Sequence, residues 1–395
     1  YQRSLEMAMR SSIGLSTEEF TKDWKKDLRK RYWPVYADKK EPEDYGRRAT
    51  DHIDDHHYMN SKPVFSADGR FLVYYSDRDG LQGIHLMDAV TGEHIKSLLT
   101  GSTSAEFEYI RTLKSSLTWD PKGERIAFVA KSDGTDKLFI MKVPEASIEE
   151  KIELPLDFFF NPAWSPSGGS IILVGTVRGQ TDLFLYDLDR RNLVQVTDDI
   201  EDEKNPAWFP GGDRVAYTRT PRVAVQPGFQ EQADGSFKME EFDFRSMSNL
   251  LEASGDIWSI DLNTGEKSVL IETAGNDDSA VIINGGEEIV FVFDETGIFN
   301  LYRGSLRVKS YYRFTDILGG IFNPSYSEAR DRLVFSAFNT AGYDLFIMDD
   351  FEDKSRMSYS TGSPMLAGDE EVGRSPFGLI PRRDYPWDEG RGEDE

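Results

Sequence analysis

The sequence contains no cysteine, and this absence excludes disulfide bonds, zinc–thiolate sites and thiol nucleophiles together. It also lacks any run of roughly 18 apolar residues, the length that a membrane-spanning helix requires. Positive charge is scarce, since 46 Lys and Arg stand against 70 Asp and Glu, for a net charge of −24. Such a field repels phosphate backbones and anionic lipid headgroups. Binding of nucleic acid or of a membrane surface is therefore not expected.

The sequence also lacks the short motifs of several enzyme classes. It has no Gly-x-Ser-x-Gly turn, no Walker loop, no dinucleotide fingerprint and no His-Glu-x-x-His helix. Carboxylates are too numerous for one pair to stand out as a catalytic acid and base. We therefore predict no catalytic residue, no cofactor and no enzyme activity for this chain.

What the sequence does contain is a repeat. Apolar residues make up 38% of the chain and aromatic residues 12%, which is enough to form a sizeable core. One pattern recurs six times: an anchor residue, a glycine turn, an apolar run and an alternating strand. The anchors are Phe65, Trp119, Trp164, Trp208, Ile282 and Tyr326. Their spacing indicates a unit of about 44 residues with insertions at 101–115 and 219–254, the latter in unit four.

Each unit carries four strand signals, which in the third unit lie at 163–165, 170–175, 182–188 and 193–197. The second strand is apolar on both faces, as expected when neighbouring sheets cover it from each side. Six such sheets bury their faces only by stacking radially into a ring. The predicted fold is all-β, a six-bladed propeller over residues 61–362. Because each unit shows its own four strands, exchange of a terminal strand to close the ring is not expected.

Residues 1–60 read as a helical segment and connector. Ser16-Thr17-Glu18-Glu19 is a capping box, and Phe20, Trp24, Leu28 and Tyr32 follow at four-residue spacing. This pattern predicts an amphipathic helix of about 16 residues that ends at Pro34. Residues 5–13 read as the end of an earlier helix, and the start at Tyr1 reads as the interior of a longer polypeptide.

Residues 363–395 are expected to form a linker or tail. This stretch holds four prolines and nine acidic residues against four arginines, a composition typical of extended segments.

The densest group of potential metal ligands is the segment Asp51-His52-Ile53-Asp54-Asp55-His56-His57. His52 and His56 would share one face if the segment were helical, and His57 is a third weak candidate ligand. A hydrophilic connector has the same composition, and we favour that interpretation, with no metal site predicted. Asp77-Arg78-Asp79-Gly80 and Asp133-Gly134-Thr135-Asp136 resemble calcium loops but supply too few oxygens, so ordinary turns are favoured.

The repeats resemble those of TolB-type six-bladed propellers. The resemblance lies in Pro-Ala-Trp-Ser-Pro-Ser-Gly-Gly from position 162 and Pro-Ala-Trp-Phe-Pro-Gly-Gly from position 206. It also lies in the Thr-Asp pairs that end a repeat, in Val196-Thr197-Asp198 and Phe314-Thr315-Asp316. The resemblance covers about 300 residues, and it is specific because six copies of the repeat agree. The Gly-His and Trp-Asp signature of WD repeats is absent.

The first 60 residues resemble the segment that joins the C-terminal end of a peptidase MA-like domain to such a propeller in multidomain bacterial envelope proteins. Gly14-Leu15-Ser16-Thr17-Glu18-Glu19-Phe20, Tyr32-Trp33-Pro34 and Thr50-Asp51-His52 carry this resemblance. It implies a periplasmic or extracellular protein associated with the cell envelope, with an anchor in a downstream domain as one arrangement. The resemblance does not imply catalytic activity for this chain, because the His-Glu-x-x-His helix of that peptidase domain is absent from the sequence.

Three hypotheses for function follow. The first is a noncatalytic propeller scaffold that binds a protein or peptide partner in the cell envelope, with 219–254 and 52–57 as candidate contact segments. The second is an accessory domain that gates substrate for a peptidase MA-type metallopeptidase. The third is an enzyme with its site in the channel, which predicts clustered His and Arg at the channel mouth. The binding residues and the oligomeric state are left open by the sequence.

Overall fold

The computed structural model of the chain describes residues 2–101, 107–221, 229–231, 237–239, 255–273, 275–295, 297–360 and 365–367. Its helices are α1 (Gln2–Ile13), α2 (Thr17–Tyr36) and α3 (Phe351–Ser360). Among these described helices, none combines the length and the apolar character needed to cross a bilayer. The remaining regular structure consists of strands and three single-turn 3₁₀ helices.

Helix α2 begins where the capping box predicts. The Ser16 hydroxyl accepts a hydrogen bond from the Glu19 N–H at 3.1 Å, and the Glu19 carboxylate accepts one from the Ser16 N–H at 2.9 Å. The predicted end at Pro34 is wrong, because the helix continues to Tyr36. A proline this close to the C-terminus removes only one hydrogen bond of the last turn, and the Ala37 N–H still bonds to the Trp33 carbonyl at 2.9 Å.

The first three antiparallel sheets are blades one to three. Blade one contains β2 (Asn60–Phe65), β3 (Phe71–Ser76), β4 (Gly83–Asp88) and β5 (His94–Thr100). Blade two contains β6 (Tyr109–Ile110), β7 (Thr118–Trp119), β8 (Arg125–Ser132), β9 (Thr135–Lys142) and β10 (Ser147–Glu153). Blade three contains β11 (Phe158–Trp164), β12 (Ser170–Val177), β13 (Gln180–Asp187) and β14 (Asn192–Gln195).

The second three sheets complete the ring and confirm the six-bladed propeller. Blade four contains β15 (Asp202–Trp208), β16 (Arg214–Thr220), β19 (Asp256–Asp261) and β20 (Lys267–Ile271). Blade five contains β21 (Asp277–Ile283), β22 (Glu288–Phe293), β23 (Asn300–Ser305), β24 (Ser310–Arg313) and β28 (Met365–Ala367). Blade six contains β25 (Ile321–Ser327), β26 (Arg332–Asn339), β27 (Gly342–Asp349) and, from the other end of the chain, β1 (Arg47–Arg48).

The core consists of six hydrophobic clusters, one at each junction between adjacent blades. Each of the six anchors packs in a different cluster, in blade order Phe65, Trp119, Trp164, Trp208, Ile282 and Tyr326. Burial of one large apolar side chain contributes roughly 1.5–3 kcal/mol. The prediction that the anchors pack between blades is therefore confirmed.

The ring closes through an exchanged strand, so the expectation that each unit holds all its own strands is wrong. Strand β1 pairs antiparallel with β27, with Arg47 opposite Ile347 and Arg48 opposite Phe346. After β27 the chain turns into α3, whose Glu352 N–H donates to the Asp331 carboxylate at 3.0 Å. The outer edge of blade six is thus left open for β1. Pairing the two distant parts of the chain removes an exposed edge and ties the ring shut.

Three segments depart from the repeat. In blade two the innermost position is divided between β6 and β7, and residues 111–117 loop out between them. In blade four the chain between β16 and β19 contains a hairpin of β17 (Phe229–Glu231) and β18 (Phe237–Met239). Strand β28, which falls in the predicted tail, pairs with β24 as a fifth strand of blade five.

Candidate functional site

The segment 51–57 is a series of turns rather than a helix, and His52 is buried within it. The Nδ1 atom of His52 lies 2.7 Å from Asp344 Oδ2, and its Nε2 lies 3.3 Å from the Thr340 carbonyl oxygen. The backbone N–H of His52 also donates to Asp344 at 2.9 Å. Both ring nitrogens therefore face blade six, which favours a role for His52 in holding the connector.

The other two candidate ligands do not join His52. His57 is buried and its Nε2 lies 2.7 Å from the Asn60 side-chain nitrogen, whereas His56 is exposed. Within the described part of the chain, no three His, Cys, Asp or Glu side chains are grouped as metal ligands. In the second loop that resembles a calcium site, Asp133 receives hydrogen bonds from Lys137 at 2.8 Å and Lys151 at 2.7 Å. The Ser132 hydroxyl makes a longer contact of 3.4 Å to the same carboxylate, so the two short hydrogen bonds that it accepts both come from lysine ammonium groups.

A cavity of about 720 Å³ occupies one mouth of the central channel. Residues from all six blades line it, and the loop 111–117 of blade two reaches into it through Thr112, Leu113 and Lys114. A second cavity of about 300 Å³ follows along the channel and is lined in part by the prolines Pro63, Pro162, Pro206 and Pro324. The volume of the first cavity is typical of ligand sites, which span roughly 300–1,000 Å³.

The two cavities meet at a ring of residues that we call the waist: Lys62, Asn161, Asn205, Ser279 and Asn323. In five blades the innermost strand has a β-bulge here, and the bulged residue adopts a left-handed conformation with φ between 50° and 54°. Asparagine tolerates this region better than most residues do. Four of these bulged residues line both cavities.

Hydrogen bonds run around the waist from blade to blade. The Ser116 N–H in blade two donates to Asn161 Oδ1 at 3.2 Å, and the Asn161 amide in turn donates to Asn205 Oδ1. The Asn205 amide donates to Asp278 Oδ1 in blade five at 2.6 Å. Lys204 forms a 2.9 Å ion pair with the other oxygen of Asp278. In this part of the waist the side chains therefore have hydrogen-bond or ionic partners within the protein, namely those of Asn161, Asn205, Lys204 and Asp278.

Lys62 connects blade one to blade two. Its ammonium group donates to the carbonyl oxygens of Leu113 at 2.8 Å and Ser115 at 3.0 Å. Burial lowers the pKa of Lys62 to about 8, against a weaker opposing effect of the Asp278 carboxylate.

Glu203 is a buried acid in the wall of the larger cavity. Its Oε2 accepts hydrogen bonds from the Leu183 N–H at 3.0 Å and from the Thr197 hydroxyl. Its Oε1 has no partner among the described residues. Burial, reinforced by the carboxylates of Asp199 and Asp182, raises the pKa of Glu203 to about 8. At neutral pH this carboxyl is therefore mostly uncharged.

Aromatic side chains form two walls of the mouth. Phe158 and Phe160 stack on blade three with their ring centroids 6.4 Å apart. Phe322 of blade six lies 5.7 Å from Phe299 and 6.0 Å from Tyr343, centroid to centroid. Because blades three and six stand across the ring from each other, these rings face one another over the cavity.

Of the two predicted contact segments, only the blade-four insertion supplies a described residue to this mouth. Thr220, the last residue before most of the blade-four insertion, lines the cavity, and so does Met59, two residues after the segment 52–57. Most of 219–254 lies outside the described residues. His52, His56 and His57 are not among the lining residues.

The sequence patterns did not predict the waist residues, because the Asn-Pro pairs were interpreted only as the starts of strands. The usable signal was the residue before each proline, which recurs as Asn161, Asn205 and Asn323 and is replaced by Lys62 in blade one. The third hypothesis predicted His and Arg at the mouth, and the described lining of both cavities contains neither.

The fold and the site together define a six-bladed propeller with one wide, aromatic and polar channel mouth. No family model matches the chain, and no curated protein matches it either. The chain is similar to the crystal structure of TolB from Acinetobacter baumannii, with 15% identity over 62% of this chain and 52% of that chain and a TM-score of 0.47. The chain thus spans about half the length of that TolB.

Two further structures are similar to this one. An oligogalacturonate lyase from Vibrio parahaemolyticus shares 13% identity over 76% of this chain and 92% of its own, with a TM-score of 0.46. The tricorn protease shares 16% identity over 80% of this chain and 27% of its own, with a TM-score of 0.49. At these identities and TM-scores none of the three similarities indicates what this chain binds. The six-bladed fold is established by the six sheets of the chain itself.

Proposed function

We propose that this chain is a noncatalytic binding propeller whose wide channel mouth receives a segment of a partner polypeptide. The observation that carries the proposal is the 720 Å³ cavity, where aromatic walls on blades three and six face each other above a polar waist. Ligand sites in proteins combine apolar walls with a few convergent polar groups in this way.

The two kinds of lining suit the two parts of a peptide. Phe158 and Phe322 offer ring faces to apolar or aromatic side chains, where such contacts add roughly 0.5–1.5 kcal/mol beyond area burial. Asn323 and Ser279, at the waist, present donors and acceptors of the kind that pair with a peptide backbone.

A cell-envelope setting, periplasmic or extracellular, belongs to the same proposal and rests on the resemblance of the repeats and of residues 1–60. Fractionation of the native cells with detection of the protein in the periplasm or the medium would support it. Detection in the cytoplasm alone would contradict it.

The binding proposal is tested with a peptide library displayed with free C-termini and selected on the purified protein. Selected peptides are expected to bind the Phe158→Ala and Phe322→Ala variants at least tenfold more weakly than the wild type. Neither ring belongs to a core cluster, so both variants should fold. Trp24→Ala, which removes a half-exposed aromatic ring of α2, is the matched control and should bind normally.

Peptides that bind the two phenylalanine variants as tightly as the wild type would show that the mouth is not the binding site. A selection that enriches no peptide at all would also contradict the proposal.

A further inference from the structure

Lys62 and Asn323 occupy the same position in adjacent blades, because blades one and six are neighbours in the closed ring. Both are bulged residues of the innermost strand, with φ of 52°. Both side chains line the larger and the smaller cavity, so both lie at the waist between them.

The ammonium group of Lys62 has no anionic partner among the described residues. It donates to two backbone carbonyls, which leaves one of its three hydrogens available. Lys204, by contrast, is paired with Asp278 at 2.9 Å. Asp278 is thereby engaged, since it also accepts from Asn205 and from Thr218 at 3.0 Å.

The side-chain amide of Asn323 makes no hydrogen bond to any described residue, although Asn161 and Asn205 at the equivalent positions are both bonded. The chain of hydrogen bonds that runs from blade one to blade five therefore stops before blade six. An amide donor on blade six and one ammonium hydrogen on blade one thus remain available at the waist.

The local charge also differs from that of the whole chain. Three lysines and three acids line the larger cavity, and one of these acids, Glu203, is mostly protonated at neutral pH because burial raises its pKa to about 8. The lining thus carries an excess of positive charge inside a chain of net charge −24. The burial that lowers the pKa of Lys62 would be offset by an anion placed beside it.

We propose that the waist binds a carboxylate between Lys62 and Asn323, and that this carboxylate is the C-terminus of the polypeptide held in the mouth. The inference rests on the proposed function and names its ligand more closely. Below the waist, four prolines line the smaller cavity and supply no backbone N–H donors. The channel also narrows at this point, from a cavity of about 720 Å³ to one of about 300 Å³, so a peptide that ends at the waist occupies the wider cavity and brings its terminal carboxylate to the two available donors.

The test uses three small probes: N-acetyl-phenylalanine, its C-terminal amide, and N-acetyl-aspartate amide, which carries only a side-chain carboxylate. Binding is measured by NMR on protein labelled at lysine. The free acid is expected to bind at least tenfold more tightly than the two amides. It should also raise the pKa of Lys62 by one unit or more on saturation, which a purely structural lysine would not show.

Variants assign the effect to the waist. Lys62→Met and Asn323→Ala should each weaken binding of the free acid about tenfold, and Lys62→Arg should retain most of it. Lys122→Met is the matched control, because Lys122 is exposed and lines neither cavity, and it should change affinity less than twofold. Thermal unfolding of each variant confirms that it is folded.

Equal affinity for the acid and its amide would overturn the carboxylate site while leaving a channel that binds peptides through its aromatic walls. Binding of N-acetyl-aspartate amide as tightly as the free acid would assign the waist to a side-chain carboxylate and overturn the C-terminal assignment. A failure of all three probes at 20 mM would overturn the inference, whereas only the peptide selection with Phe158 and Phe322 variants decides the proposed function.

Discussion

The hydroxyl of Thr50 donates a 3.0 Å hydrogen bond to the buried carboxylate of Asp344, which lies 294 residues further along the chain. The same hydroxyl accepts a 2.9 Å hydrogen bond from the Leu345 N–H. Blade five has this arrangement within itself, since Thr315 donates to Asn300 at 3.1 Å and accepts from the Leu301 N–H at 2.8 Å. Thr50-Asp51 is therefore the Thr-Asp pair that ends the repeat of blade six, supplied from the opposite end of the chain.

Removing the Asp344 carboxylate should weaken the closure of the ring. Asp344→Ala leaves four donors without their acceptor, namely the hydroxyl of Thr50, the backbone N–H and Nδ1 of His52, and the amide of Asn60. Loss of such a buried network is expected to lower the free energy of unfolding by about 3 kcal/mol or more. Urea unfolding measures the change, and Asp189→Ala, at an exposed turn, is the control with an effect within about 0.5 kcal/mol. Equal stability of the two variants would show that this carboxylate does not hold the seam.

Two truncations should separate the helices from the propeller. Removal of residues 1–37 takes away α1 and α2, which pack mainly on each other, and should leave the melting temperature within about 2 °C of the wild type. Removal of residues 1–52 also takes away β1, Thr50 and His52 and should lower it by roughly 10 °C or more. Differential scanning calorimetry measures both changes. The importance of the exchanged strand is refuted if both truncations melt alike.

The stability of the ring should depend on pH through Glu203. Its pKa is raised to about 8 in the folded protein against an ordinary value near 4.5, so the folded state holds the proton more tightly. The stability from this group is fully present below pH 4.5 and is lost as the pH rises through 8. Glu203→Gln should match the wild type at pH 5 and exceed it at pH 9 by on the order of 3 kcal/mol. Urea unfolding at both pH values measures this difference, with Glu287→Gln, an exposed acid, as the control that should follow the wild type. A parallel pH dependence of Glu203→Gln and wild type would contradict the assignment.

The indole N–H groups of two anchors bind adjacent blades together. Trp119 donates to the Val64 carbonyl in blade one at 3.0 Å, and Trp208 donates to the Ala163 carbonyl in blade three at 2.9 Å. Trp119→Phe and Trp208→Phe keep most of the ring but remove the donor, so each should cost about 1 kcal/mol of unfolding free energy. Trp24→Phe, in the half-exposed position of α2, should cost less than about 0.5 kcal/mol. Denaturant unfolding compares the three, and no cost at either anchor would mean that these inter-blade hydrogen bonds contribute nothing net.

Local sequence patterns predicted the blades because the blades repeat one short-range pattern of anchor, glycine turn and apolar strand. The anchor at Trp164, the glycine turn after it and the two-sided apolar strand that follows act within about 15 residues of one another. The capping box at Ser16 likewise acts within one turn and predicted the start of α2. The end of α2 was not predicted, because one proline in a last turn costs too little to stop a helix.

The sequence by itself determined the number of blades, their all-β character and the interfaces between them, since a repeated unit buries its faces only against copies of itself. Only the tertiary structure decided which strand closes the ring, because the pairing of Arg47 with Ile347 depends on an edge that α3 leaves open. It also decided the candidate site. Lys62 and Asn323 are 261 positions apart in the sequence and become neighbours at the waist only when blades one and six meet.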